Sequence, residues 1–231
     1  MEFKIPFSGR AHAYTEEEIN TVVEAMREAN PLTQGKHLKS FEKNFCNYIG
    51  AKHAFVVSNA TAALEMSAQL CQFQPGDEVI IPSHTFTSTA YPFAKKGARI
   101  VWADIDLKTR VVTAQTLADR ITPRTKAMVI PHLYGYGADM SGILGLAKRH
   151  DLLTIEDAAQ VLGVEIDGKK AGTFGDIGIF SFHSHKNITT LGEGGMLLVK
   201  DEKLANIIPQ LRHNGHGAFP FEREDYWIPA M

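Results

Sequence analysis

The sequence predicts a three-layer α/β/α domain built on a mostly parallel central sheet, and three observations predict it. Short apolar runs recur along the chain ("HAFVVS", "EVIIP", "RIVWADI", "KAMVI", "LLTIED"), each the length of a buried strand. Segments of helical periodicity separate them ("ATAALEMSAQLC", "TSTAYPFAKKG", "TAQTLADRI", "MSGILGLAKRH"), and strands that alternate with helices form parallel sheets covered on both faces. Finally, 44% of the 231 residues are hydrophobic, which is enough to fill the core of one domain or slightly more.

The elements follow in chain order. "TEEEINTVVEAM" opens with a hydroxyl N-cap at Thr15 and acids in the first turn, and it puts Ile19, Val22, Val23 and Met26 on one helical face. "LKSFEKNFCNYIG" is a second helix, with Leu38, Phe41, Phe45 and Ile49 as its buried stripe and Gly50 as its C-terminal stop. The strand and helix alternation comes next, and further short strands are predicted at "VLGVEI", "IGIFSF" and "GGMLLV". Asp167-Gly168 supplies a two-residue turn between "VLGVEI" and "KKAGTF". No repeat, low-complexity tract or linker interrupts the pattern. The chain is therefore expected to comprise an N-terminal arm over residues 1–14 and one domain over residues 15–231.

Charge and cysteine content exclude several function classes. The formal charge of -2, with 24 Lys and Arg against 26 Asp and Glu, gives no bulk attraction to nucleic acid or to an acidic membrane. Cys46 and Cys71 lie in helical patterns as small apolar side chains, too few for a disulfide framework. "MEFKIPFSGR" lacks the apolar region of a signal peptide, and no window approaches the roughly 20 apolar residues that span a bilayer. A soluble, cytoplasmic protein is expected.

In open α/β sheets the working residues gather at the carboxyl ends of the strands. Those ends read "SNATAA", "PSHTF", "EDAAQ" and "SFHSHKNITTLGEGG". Lys186, five residues past Ser181, sits where a strand gives way to a loop; a solvated surface lysine is the ordinary reading of such a position. Asp157 closes a buried strand, where an unpaired carboxylate would cost several kcal/mol, so it needs a cationic partner: an internal Arg or the protonated ring nitrogen of a cofactor. "SNATAAL" offers helix N-terminal amides at Ala60 and Thr61, with the Thr61 hydroxyl beside them, suited to a phosphate or to simple capping. Phe86 can stack on a flat ring or fill core. An amine, a carboxylate, a phosphate cradle and an aromatic plate together describe a pyridoxal phosphate site.

The order and wording of "SNATAAL", "PGDEVIIPSHTFTSTA", "ITPRTKAMVIPHLYG", "IEDAAQ" and "FSFHSHKNITTLGEGG" resemble the nucleotide-sugar aminotransferases of the DegT/DnrJ/EryC1/StrS family, within the fold-type I pyridoxal phosphate enzymes, from about Ile5 to Arg212. The resemblance implies the large domain of that fold, pyridoxal 5'-phosphate as cofactor, and transfer of an amino group, from an amino-acid donor such as glutamate, to a keto carbon of a nucleotide-linked deoxysugar. It implies a homodimer with sites between subunits. It makes Lys186 the Schiff-base lysine and proton carrier, and Asp157 the partner of the ring nitrogen. Gln160 would lie on the phenolic-oxygen side, Ser181, Ala60 and Thr61 at the phosphate, and Phe86 over the ring. The glycines of "GEGG" would let the backbone pass close to the site and present the lysine. One branch of the family carries histidine in place of this lysine and deoxygenates the sugar; alignment on "NITTLGEGG" puts Lys186, not His185, at that position. His183 is then a candidate pocket wall, and Glu193 has no assigned role. Family members are longer, so the resemblance implies that a C-terminal small domain is missing and makes a fragment, or a truncated cofactor-binding remnant, the competing expectation.

Other signals carry less. "GVEIDGKK" lacks the Ser or Thr that a P-loop needs after its lysine. "HSH" and "HNGH" join no Cys or carboxylate set, so no metal is expected. No strand is followed by G-x-G-x-x-G, which leaves a dinucleotide-binding oxidoreductase with only the general layout behind it.

Overall fold

The computed structural model describes residues 13–213 and 215. The first helix, α1 (Glu16–Glu28), begins at a Thr15 capping box closed by Glu18, as predicted. Its apolar face finds no core: α1 buries no residue, and Met26 is 75% exposed. Helix α2 (Lys36–Ile49) ends on Gly50 in the left-handed conformation, which glycine adopts without strain. Of its predicted stripe, Phe45 and Ile49 are fully buried, while Leu38 and Phe41 are half-buried.

The strands β1 (Ala54–Val57), β2 (Glu78–Pro82), β3 (Arg99–Ala103), β4 (Thr125–Pro131) and β5 (Leu153–Asp157) fall on the predicted runs. Helix α3 (Ala60–Leu70) and helix α6 (Met140–His150) also lie where expected. Two predicted helices shrink. "TSTAYPFAKKG" divides into a 3-10 turn over Thr87–Thr89 and a short α4 (Tyr91–Lys95) that restarts at Pro92, and "TAQTLADRI" keeps only α5 (Ala114–Ala118). "VLGVEI" contributes just β6 (Glu165–Ile166), paired with β7 (Lys169–Lys170) across the Asp167-Gly168 turn, whose two residues both have positive φ. Strands β8 (Ile177–Ser181) and β9 (Gly195–Val199) complete the sheet. Helix α7 (Glu202–Arg212), capped by Asp201, was not among the predicted elements; its interior Pro209 interrupts the helical pattern.

The sheet has seven strands in the order β1-β9-β8-β5-β4-β2-β3, and only β9 runs against the others. Strand alternation sorts side chains into two layers. Val79, Ile81, Val129, Ile155, Ile179 and Leu197 pack with Ala63, Leu64 and Ala68 of α3 and Ile208 of α7. On the opposite face Ile80, Met128 and Ile130 meet Met140, Ile143 and Leu146 of α6, while Phe180, Phe182, Met196 and Leu198 meet Phe45 and Ile49 of α2. The predicted three-layer architecture is therefore the observed one. Phe180 and Phe182 are fully buried, and burial of each contributes about 1.5–3 kcal/mol.

The edge of β1 is closed by side chains. The Val56 amide donates to Glu42 of α2, and the Val56 carbonyl accepts from Arg212 of α7, whose guanidinium also pairs with Glu42. All three groups are half-buried or better shielded, so removal of either charge leaves the other poorly solvated. Glu42→Ala should lower stability by about 3 kcal/mol, read as a shift in the denaturant midpoint at unchanged slope.

Candidate active site

The chain passes from β2 outward to β3 and returns on the other side of β2 to β4, so the strand order reverses there and a crevice opens at the carboxyl ends. A cavity of about 490 Å³, within the range of small-molecule sites, occupies this position. Its lining includes all seven residues singled out from the sequence: Ala60, Thr61, Phe86, Asp157, Gln160, Ser181 and Lys186.

Each is placed by the end of an element. Asp157 is the last residue of β5 and is buried; its Oδ2 accepts from Thr89 Oγ1 at 2.7 Å and its Oδ1 from the Ala159 amide at 3.2 Å. Thr89 in turn accepts from Thr85 Oγ1 at 2.9 Å, so the 3-10 turn after β2 holds one carboxylate oxygen. Burial pushes the Asp157 carboxyl above its usual value, against the pull of the Thr89 and Ala159 hydrogen bonds and the charge of Lys186. Lys186 lies in the loop after β8, its amide bonded to the His183 carbonyl at 2.8 Å. Its ammonium makes no hydrogen bond or ion pair among the described residues. Burial lowers its proton affinity below the ordinary lysine value and Asp157 opposes that shift, so more of the amine stands ready as a nucleophile at neutral pH.

Also lining the cavity, α3 begins at Asn59, whose side chain accepts from the Ala62 amide at 2.8 Å. The Ala60 and Thr61 amides have no partner among the described residues, as first-turn helix amides ordinarily do not, and could donate to an anion. This approach depends on Gly195: a Cβ there would stand 2.6 Å from the Asn59 carbonyl carbon and 2.7 Å from the Ala60 nitrogen. Gly195→Ala must push the start of α3 away from β9. It should cost about 1–3 kcal/mol of stability, checked by denaturant melting. Ser181 Oγ, at the end of β8, accepts weakly from the His183 amide at 3.4 Å, which leaves its proton free to donate. Gln160 Oε1 accepts from the Tyr134 amide at 2.9 Å, so its side-chain NH₂ is left for a ligand. Phe86 is 66% exposed at the cavity wall, where its ring is accessible to a flat ligand.

The geometry fits a phosphorylated, cationic aromatic ring. The cavity is lined by the first residues of α3 and by hydroxyls, by a buried carboxylate whose proton affinity burial raises, and by an amine without a hydrogen bond or ion pair among the described residues. His183 lines the cavity as expected and approaches Glu193 at 3.6 Å, while His185 stacks edge-on against it with ring centroids 5.0 Å apart. Thr85, Thr89 and His132 also line the cavity, and the sequence reading had not assigned them. Their signal is present in "PSHTFTST", the strand end that also carries Phe86, and in "VIPHLYG", a further strand end.

A family model described as the DegT/DnrJ/EryC1/StrS aminotransferase family matches residues 13–228. The chain is 43% identical over 210 residues to GDP-perosamine synthase of Caulobacter vibrioides, covering 91% of this chain and 55% of that protein. Among solved structures, an aminotransferase from Psychrobacter cryohalolentis superposes with a TM-score of 0.88 at 32% identity, covering 98% of this chain and 58% of that one. The E. coli GDP-4-keto-6-deoxy-D-mannose-3-dehydratase with bound hydrated PLP superposes with a TM-score of 0.84 at 27% identity, covering 91% and 55%. The chain spans about half the length of the curated relatives it matches.

Proposed function

The chain belongs to the DegT/DnrJ/EryC1/StrS aminotransferase family, and from that premise we propose that it binds pyridoxal 5'-phosphate and transfers an amino group, from an amino acid such as glutamate, to a keto carbon of a nucleotide-linked deoxysugar. The observation that carries this reading is that the amine of Lys186, which has no hydrogen bond or ion pair among the described residues, and the buried carboxylate of Asp157 border one cavity whose lining also includes Ala60 and Thr61 at the start of α3.

Pyridoxal phosphate supplies an electrophilic carbon and an electron-accepting ring. The residues divide the remaining work. Lys186 would hold the cofactor through Nζ and would serve as the proton carrier at the substrate carbon; its depressed proton affinity suits both tasks. Asp157, oriented by Thr89 and the Ala159 amide, would accept the ring N–H and favour the charged form of that nitrogen. Ala60, Thr61 and Ser181 would bind the phosphate, Gln160 would donate to the phenolic oxygen, and Phe86 would cover one face and exclude water. In this reading residues 15–231 are the cofactor-binding large domain and residues 1–14 an arm.

Lys186 favours amino transfer over the deoxygenation that goes with histidine at this position. Addition of glutamate should abolish the visible absorbance of the lysine-bound cofactor, and a keto-sugar nucleotide should restore it. A spectrum that ignores glutamate contradicts the assignment.

The working unit is a homodimer in this reading. Support comes from the apolar face of α1, which no described residue buries and where Ile19, Val22 and Val23 form a groove of about 640 Å³ with Leu191 of the lysine loop. Light scattering should give twice the chain mass, and a monomer at micromolar concentration contradicts it. The cytoplasm is the compartment proposed; among the described residues no helix is long and apolar enough to cross a membrane.

A further inference from the structure

The last two residues of β5, Glu156 and Asp157, point to opposite faces of the sheet. Asp157 faces the cavity; Glu156 enters the opposite layer and is completely buried, as is His132 just after β4. A lone carboxylate there would be costly, yet this one is saturated. Glu156 Oε1 accepts from the amides of Phe174 and Gly175 at 2.6 Å each, and Oε2 accepts from the Gly172 amide at 2.8 Å and pairs with His132 Nε2 at 2.9 Å. Burial alone would push the Glu156 carboxyl up, but His132 and the Gly175 and Gly172 amides outweigh it and hold it below the usual range.

The imidazole is equally constrained. The Ala138 amide donates to Nδ1 at 3.0 Å, which makes Nδ1 the acceptor and leaves the ring proton on Nε2, directed at Glu156. The His132 amide donates to the Asp157 carbonyl at 3.0 Å, and His132 itself forms part of the cavity wall. One residue thus ties the Asp157 backbone, the Glu156 side chain and the loop before α6 together.

We propose that His132 and Glu156 form a positioning couple that fixes the Asp157 carboxylate toward the cavity, by locking the ends of β4 and β5 to the Gly172–Gly175 turn. The inference rests on the reading that Asp157 meets the cofactor ring nitrogen. The couple touches no reacting atom. Its effect passes through Asp157, and misplacement of such a group by about an ångström can cost on the order of a hundredfold in rate.

The test uses the whole chain, free and loaded with pyridoxal phosphate. In the free protein, ¹⁵N spectra should show His132 as the Nε2–H tautomer. In the loaded wild type, ¹⁵N-labelled cofactor should report a protonated ring nitrogen. His132→Gln and Glu156→Gln should each reduce that protonated fraction and lower kcat by about 10- to 100-fold, with KM for the amino donor changing less than about threefold. A Nδ1–H tautomer in the wild type overturns the proposal even if both variants fail to fold. So does a folded variant with lowered Tm but unchanged ring-nitrogen signal and kcat. Failure of the wild type to bind cofactor through Lys186 instead sinks the function reading and leaves the tautomer result to judge the couple by itself.

Discussion

Lys186→Ala is expected to reduce amino transfer by on the order of 10⁴-fold or more, because it removes both the nucleophile and the proton carrier. The same substitution should leave the fold intact: the ammonium has no hydrogen bond or ion pair among the described residues, and it is half-buried against its own hydration. Stability of the free protein should therefore stay within about 0.5 kcal/mol of wild type. Lys186→Arg is the sharper control. Arginine retains the cation that faces Asp157 but does not give up its proton in a protein, so it should be as inactive as alanine. Steady-state rates together with a thermal melt check both statements; an active arginine variant would show that the amine acts only as a charge.

Asp157→Asn should separate rate from stability in the opposite sense. Asparagine fits the same space but cannot balance a charged ring nitrogen, so kcat should fall by about 10²- to 10³-fold while donor KM moves little. In the free protein, however, Asp157 is a buried carboxyl whose proton affinity is raised by burial. A group bound more tightly to its proton in the folded state than in the unfolded one favours folding at low pH and loses that contribution as pH rises through its folded value. Relative to Asp157→Asn, the wild-type free protein should thus be least stable at neutral pH and recover as pH falls toward the ordinary carboxylate range. Glu156, held below that range, acts in reverse, but it is common to both proteins and cancels in the comparison. Melting curves of the two proteins from neutral to acid pH test the sign. A wild type that loses ground to the variant on acidification would mean that Asp157 is stabilised as an anion by partners within the chain.

The architecture was legible because short apolar runs and helical segments alternate without interruption, and the seven strands of the main sheet lie on those runs. Asp157, Lys186, Ser181 and Phe86 were legible for a related reason: the carboxyl end of a parallel strand is where a site forms, and strand ends can be found in a sequence. Thr89 and His132 were not assigned because their roles depend on neighbours in the sheet. Thr89 reaches Asp157 only because β2 lies beside β4 and β4 beside β5, an order that no local pattern encodes. The exposed face of α1 shows the converse. Its periodicity gave the helix correctly, but periodicity does not say what covers a face, and among the described residues none of α1 is buried. The late start of α4 has a local cause, since Pro92 in its first turn suits a helix beginning rather than continuing from the preceding 3-10 turn.

The central claim is that one amine, Lys186 Nζ, binds the aldehyde of pyridoxal phosphate covalently. The most direct measurement is borohydride reduction of the loaded protein followed by mass mapping of the peptides. The account predicts a single phosphopyridoxyl group on Lys186; a label on any other lysine, or none, would contradict it.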